Sequence, residues 1–364
     1  MKLVVNKDVL LDGLQKVQAI VQTRTTLPVL YNVLLKAEED KLWLTATDLE
    51  VTVRTSLFAK VSRTGGTTLP ARRFFSICRE LPSNEIEIDV DDKDVASIRA
   101  GASFYKIIGI SEDEFPPLPE FKGTRSYSMD QVVFKHMLAS THYASSTDSS
   151  RPALSGVLTS FKGGKLSMVA TDGRRMAMWE HELPIEKDAE GECIVPAKTV
   201  GELLRSLGEE GVVTVQIAEK QVAFEFGQML VMSKLVDAAY PNYRQVIPTD
   251  SGERVNIERE MLFNAVRRVA LLLSDKSNSV TLTFSKDTLE VSASAADVGE
   301  ATEKIAVKYR GKDITVAFNP DYLLDPLKSL GSDEISLELS NELSPAVLRC
   351  DKPFLYVIMP MRVK

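Results

Sequence analysis

The chain has 364 residues, 44% of them hydrophobic and 26% charged, with a formal net charge of −7. That length exceeds what one hydrophobic core usually organises, so two or three domains are expected. No apolar run reaches membrane-spanning length, and the opening Lys2-Leu3-Val4-Val5 lacks the pattern of a secretion signal. Cys78, Cys193 and Cys350 are too dispersed for a metal site or a disulfide framework, which fits a reducing cytoplasm. No metal and no cofactor are expected.

Leu10, Leu14, Val17 and Val21 share one helical face and predict a helix over 6–22. Alternating runs near 29–36, 41–47 and 51–59 read as strands, separated by polar turns such as Glu38-Glu39-Asp40. A second helix is expected at 72–81, then strands near 85–90, 94–100 and 103–110. The pattern then restarts. Leu27 to Asp48 (LPVLYNVLLKAEEDKLWLTATD) is echoed by Arg151 to Asp172 (RPALSGVLTSFKGGKLSMVATD), with Pro28 and Asp48 each 124 positions from their counterparts. A weaker third copy runs from Ser279 to Ala295. Leu69-Pro70-Ala71 matches Val195-Pro196-Ala197 and, less closely, Ala317-Phe318-Asn319, while Glu114-Phe115-Pro116 matches Ala239-Tyr240-Pro241. Further helices are expected at 130–140, 198–207, 258–272 and 320–330. Asn319-Pro320 starts the last and Gly331 stops it, while Pro326 inside it should kink or shorten it.

Three domains follow, 1–124, 125–254 and 255–364, each of two half-units made of a helix and three strands. The class is α+β. Half-units of about sixty residues are marginal alone, so they should pair and share sheets. Open edges at the two ends of such an array are a liability that closure with a second copy of the chain would remove. The six helical segments hold twelve basic and nine acidic residues, leaving the remainder at −10. A faintly basic helical face could follow duplex phosphates without reading bases, although solvated helix surfaces alone would give the same imbalance.

Arg24–Pro28 (RTTLP), Thr47–Glu50 (TDLE), Pro70–Phe75 (PARRFF) and Val169–Met176 (VATDGRRM) carry a resemblance, together with Ser233–Asp237 (SKLVD), Tyr240–Arg244 (YPNYR) and Tyr356–Val363 (YVIMPMRV). In this order and spacing the whole chain resembles the beta sliding clamp family of bacterial DNA polymerase III. The resemblance implies a head-to-tail homodimer closing into a DNA clamp ring, helices lining the hole, through which double-stranded DNA passes irrespective of sequence. The implied partners are the polymerase III alpha subunit, the clamp-loader ATPase, and other polymerases and repair proteins that carry a clamp-binding peptide.

The same resemblance puts a partner-peptide pocket at Leu154, Thr171, Gly173, Arg174, Arg175, Met176, Pro241, Gln245 and Val246. It is closed by Asn319, Tyr322, Val357, Met359, Pro360, Met361 and Arg362. Leu154, Met176, Pro241, Val246, Met359 and Met361 would form an adaptable apolar trough, with Arg174, Arg175 and Arg362 as charged rims. The Thr-Asp pair recurs at Thr47-Asp48, where the family has no pocket, so Asp172 is read as a turn former. DNA-binding positions implied are Arg24, Arg72, Arg73, Arg79, Arg151, Lys198 and Arg205. Two departures stand out: Asp148 is an acid on a loop expected to face DNA, and Lys364 adds a charge beyond the last motif. The dimer interface implied is Phe104, Lys106 and Ile108 against Leu272 and Leu273, with Lys106 pairing an acid such as Asp275. The run Ala270-Leu271-Leu272-Leu273 is itself more apolar than a solvent-facing helix end.

Two other readings compete. A hydrolase-like enzyme could use the Thr171-Asp172-Gly173 loop with His136, His142 or His181 as base, but no carboxylate or cysteine pattern accompanies these histidines and no catalytic residue is assigned. A protein-scaffold ring that never encircles DNA is the second.

Overall fold

The computed structural model describes residues 1–21, 25–118, 121, 125–248, 252–273 and 279–362. The first repeat runs β1 (Lys2–Asn6), α1 (Lys7–Gln18), β2 (Asn32–Glu38), β3 (Lys41–Thr47), β4 (Val51–Phe58), β5 (Lys60–Arg63), β6 (Gly65–Pro70), α2 (Ala71–Glu80), β7 (Glu85–Val90), β8 (Val95–Ala100) and β9 (Ser103–Ile108). The second runs β10 (Arg125–Asp130), α3 (Gln131–Ala139), β11 (Gly156–Lys162), β12 (Lys165–Thr171), β13 (Arg175–Glu182), β14 (Gly191–Pro196), α4 (Ala197–Ser206), β15 (Val212–Ile217), β16 (Gln221–Phe226) and β17 (Met229–Lys234). The third runs β18 (Glu253–Glu258), α5 (Arg259–Val269), β19 (Val280–Ser285), β20 (Thr288–Ala295), β21 (Gly299–Ala306), β22 (Ile314–Phe318), α6 (Pro320–Ser329), β23 (Glu334–Leu339), β24 (Ala346–Arg349) and β25 (Phe354–Ile358).

Each helix is thus preceded directly by a strand, one more per half-unit than the sequence pattern suggests. Those leading strands are exchanged. β1 joins β7–β9, β6 joins β2–β4, β10 joins β15–β17, and β14 joins β11–β13; β18 joins β23–β25 and β22 joins β19–β21. A leading strand therefore completes the sheet of the other half-unit in its repeat, which ties two marginal half-units into one folding entity.

By internal contacts the chain divides into two compact units, Met1–Lys135 with Gly201–Leu235, and His136–Val200 with Val236–Lys364. The first holds the sheets β5-β1-β7-β8-β9 and β10-β15-β16-β17-β4-β3-β2-β6. The second holds β14-β11-β12-β13-β25-β24-β23-β18 and β21-β20-β19-β22. The division follows the sheets rather than the repeats. Each eight-stranded sheet joins strands of two successive repeats, at β17–β4 in one and β13–β25 in the other.

Within the units, helices bury one stripe against the sheets. Leu10, Gly13, Leu14 and Val17 of α1 are buried, and so are Leu262, Ala265, Val266 and Val269 of α5. Asn6 caps α1 by accepting the N–H groups of Asp8 and Val9. The helix ends at Gln18 rather than running to 22, and α5 gives way at Ala270 to a single tight turn over Ala270–Leu272.

A candidate partner-binding pocket

The pocket region lies wholly in the second unit, at the seam where β13 meets β25. Antiparallel pairing places Arg175 opposite Ile358 and Met176 opposite Val357. The hairpin between β12 and β13 is shaped by its own side chains. Thr171 Oγ1 donates to the Arg175 carbonyl at 2.6 Å and accepts the Gly173 N–H at 3.1 Å. Asp172 Oδ1 accepts the N–H groups of Arg174 and Arg175 at 2.8 and 2.9 Å. Gly173 sits at φ +86°, where a side chain would be strained. Asp172 is therefore a turn former, as the repeat suggested, and its carboxylate is committed to the hairpin instead of to acid–base chemistry.

Arg175 is turned inward, with only 11% of its side chain exposed. Its guanidinium donates to Asp172 Oδ2 at 3.1 Å, to Asp325 Oδ2 at 2.6 Å and to the Tyr143 carbonyl at 2.7 Å. It also lies 4.4 Å from the centre of the Tyr322 ring. It is a structural strut of the wall, unlike the exposed Arg174 beside it.

Helix α6 supplies that wall. Asn319 caps it by accepting the Asp321 N–H at 2.9 Å, and Pro320 occupies the first turn. Beyond β25 the chain stays extended, with the Met359 N–H donating to the Arg174 carbonyl at 2.9 Å and the Met361 N–H to the Ala317 carbonyl at 2.7 Å. These elements enclose a cavity of about 370 Å³ lined by Arg174, Asn319, Tyr322, Met359, Pro360, Met361 and Arg362. All seven belong to the set named from sequence.

The remaining members of that set stand differently. Met176 and Val357 are 1% and 3% exposed, inside a core cluster with Leu158, Val169, Ile194, Val347 and Leu355. They hold the floor from beneath. Leu154 and Thr171 are half-buried, whereas Gly173, Pro241, Gln245 and Val246 are exposed and lie outside the cavity lining. Arg174 and Arg362 are exposed and make no ion pair among the described residues. Sequence reasoning missed Tyr143, Asp325 and Tyr356, which brace the wall. A roomier recess of 660 Å³ between Tyr309 and Leu343 contains none of the named residues.

Three stretches of the chain match, in order, the families described as the N-terminal, central and C-terminal domains of the DNA polymerase III beta subunit, at residues 1–119, 128–242 and 244–362. The beta sliding clamp of Chlamydia muridarum is 34% identical over 363 residues, covering 100% of this chain and 99% of its own. The chain belongs to the DNA polymerase III beta-subunit family.

The beta sliding clamp of Pseudomonas aeruginosa is 33% identical, with both chains covered in full. The crystal structure of the Bartonella birtlesii sliding clamp bound to griselimycin superposes with a TM-score of 0.95 at 33% identity, covering 100% of each chain. That of the Bacillus subtilis clamp gives 0.95 at 28%, with the same coverage. The fold is the clamp fold, and the function is that of a sliding clamp, a processivity factor of DNA replication. Neither the hydrolase-like reading nor a ring without DNA finds support among these relatives.

The remaining clamp positions are placed as follows. Arg72, Arg73 and Arg79 are exposed on α2, whose Ala71, Phe74 and Cys78 face the core. Lys198 and Arg205 are exposed on α4, and Arg205 pairs with the buried Glu202. Arg151 is exposed 3.7 Å from Asp148. The Asp148 carboxylate accepts the Ser150 hydroxyl and, at 2.9 Å, the Ser150 N–H, which lowers its pKa and keeps it an exposed anion on the loop. On the edge strand β9, Phe104, Lys106 and Ile108 are exposed. Leu272 and Leu273 are half-buried, and Leu271 of the same apolar run is 81% exposed. Arg24, Asp275 and Lys364 lie outside the described residues.

Proposed function

We propose that this chain is a non-catalytic clamp organised as domains 1–124, 125–254 and 255–364. Two copies close head to tail around duplex DNA in the bacterial cytoplasm. The polymerase III alpha subunit, the clamp-loader ATPase, and other polymerases and repair proteins dock in turn by a short peptide in the pocket of the second unit. The cytoplasmic assignment is supported by the dispersed free cysteines.

The observation that carries the reading is the cavity itself. Met359, Pro360 and Met361 give it an adaptable apolar floor, Tyr322 an aromatic wall, and Arg174 and Arg362 two unpaired cationic rims. That mixture suits an extended peptide with apolar anchors and one polar end better than it suits a reacting small molecule. The named DNA positions are solvent-facing cations, suited to phosphates and to sliding.

Fluorescence anisotropy with a synthetic peptide carrying glutamine followed by leucine and phenylalanine tests the pocket. Binding should be saturable and should lose most of its affinity when residues 359–364 are deleted, because such contacts concentrate energy in a few anchors. A deletion variant that is folded and binds the peptide unchanged would refute the assignment.

A further inference from the structure

Pro326 lies in the interior of α6. A proline there has no N–H to give the carbonyl four residues back, and its ring crowds that carbonyl. The carbonyl concerned belongs to Tyr322, a lining residue of the pocket. It is not left empty, because the Tyr356 hydroxyl reaches across from β25 and donates to it at 2.9 Å. Tyr356 is 1% exposed, and burial raises its phenol above the ordinary range, so the hydroxyl remains a donor at any working pH. Its ring is held by Phe354, stacked at 6.3 Å, and by Tyr143 at 6.1 Å. Two residues further on, β25 ends and the chain enters Met359–Arg362. One hydrogen bond thus ties the wall of the pocket to the strand that delivers its floor, and the irregularity in the helix is what makes the acceptor available.

We propose that Tyr356 is a positioning residue for the pocket: its hydroxyl, accepted by the carbonyl that Pro326 vacates, fixes Tyr322 relative to Met359–Arg362 without touching the bound peptide. This rests on the peptide-pocket reading above. The Arg175–Asp325 ion pair is a second tie to the same helix: the Arg175 guanidinium lies against the Tyr322 ring and also donates to the Tyr356 hydroxyl oxygen, while the hydroxyl hydrogen restrains the Tyr322 backbone.

The test is a double-variant cycle on the full-length chain, read by anisotropy with the same synthetic peptide. Tyr356→Phe deletes one hydroxyl and keeps the ring, so affinity should fall about fivefold to tenfold, the scale of one lost hydrogen bond. Pro326→Ala restores a helical N–H aimed at the Tyr322 carbonyl, an acceptor with two lone pairs, and alone should leave affinity within about twofold. Combined with Tyr356→Phe it satisfies the carbonyl from within α6 but does not restore the tie to β25, so affinity should stay within about twofold of that of Tyr356→Phe alone. A merely destabilising effect, from leaving the Tyr322 carbonyl without a donor, would be repaired by the Pro326→Ala N–H, whereas loss of the tie to β25 would not. Wild-type affinity in Tyr356→Phe, or a double variant restored to wild-type affinity, overturns the proposal. The deletion of 359–364 is run alongside. If it leaves binding unchanged, the pocket reading fails and the positioning role falls with it. If it abolishes binding while Tyr356→Phe does not weaken it, only the positioning role fails.

Discussion

At Asp172 one carboxylate oxygen accepts the N–H groups of Arg174 and Arg175, and at Asp48 the equivalent oxygen accepts those of Glu50 and Val51 at 2.9 and 2.8 Å. The backbone frame around the two hairpins is the same. The Lys234 N–H donates to the Glu50 carbonyl at 3.0 Å just as the Met359 N–H donates to the Arg174 carbonyl at 2.9 Å. What differs is the side chains hung on it. In the first unit Glu50 and Lys234 close the hairpin with an ion pair at 3.0 Å. In the second, Arg174 and Met359 leave an unpaired guanidinium and a thioether facing a cavity. The hairpin also shows what each copy tolerates: Leu49 is forced to φ +74° where the second copy has Gly173. His136 shows a comparable contrast between residue type and role. Its ring packs edge-on against Trp179 at 4.6 Å, and its buried Nε2 has no hydrogen-bond partner among the described residues, so this half-buried histidine serves packing. Burial, helped by Lys352, lowers its pKa below the ordinary 6.5. Below that ordinary value the unfolded chain takes up a proton that the folded chain resists, so stability falls as the pH falls. The urea midpoint should drop between about pH 7 and about pH 5, and His136→Phe should drop less over the same interval. Parallel pH profiles for the two proteins would show that His136 is not part of the acid response.

The elements most legible in the sequence are those with strong periodicity. All six helices fall where the apolar spacing puts them, and β3, β4, β7 and β8 lie within a residue of their expected bounds. The leading strands escaped notice for a physical reason. β10 buries only Tyr127 and Met129, and β18 only Val255 and Ile257, because each lies at a sheet edge with one covered face. Two apolar residues among four polar ones are a weak signal of a strand. Helix ends were misjudged where apolar residues continue past the helix, as at Ile20 and Val21, which stay buried without being helical. The site divides in the same way. The lining residues were available through the resemblance, Arg174 and Met359–Arg362 because they sit in contiguous motifs. The braces were not: Arg175 and Asp325 are 150 positions apart, and Tyr356 and Tyr322 are 34 apart on different elements. Pro326, read from sequence as an irregularity, became intelligible only when the hydroxyl facing the vacated carbonyl was located.

On the scale of the whole molecule, the open sheet edges matter most. Among the described residues β9 pairs with β8 alone and exposes Phe104, Tyr105 and Ile108 at 50%, 41% and 77%, and β21 pairs with β20 alone. An edge strand carrying an aromatic pair and an isoleucine invites strand addition unless a defined partner covers it. A second copy, joined head to tail, would cover it and close the ring. Sedimentation should therefore report twice the chain mass, and Ile108→Asp should give a folded monomer, because a charge buried in that interface would be unpaired. A wild-type monomer at micromolar concentration would contradict the ring.

Encirclement is the central claim, and retention on circular against linear DNA measures it most directly. A clamp that slides makes few, phosphate-directed contacts, so its binding to a short linear duplex should be weak and should fall with salt by about 0.9 in log K per log unit for each neutralised phosphate. Loaded by a clamp-loader ATPase onto nicked circular DNA, the protein should remain bound at salt that abolishes linear binding, and a single cut in the circle should release it. Retention that falls identically with salt on circular and linear DNA, or that survives linearisation, would mean that the protein holds DNA as an ordinary basic surface and is not a topological clamp.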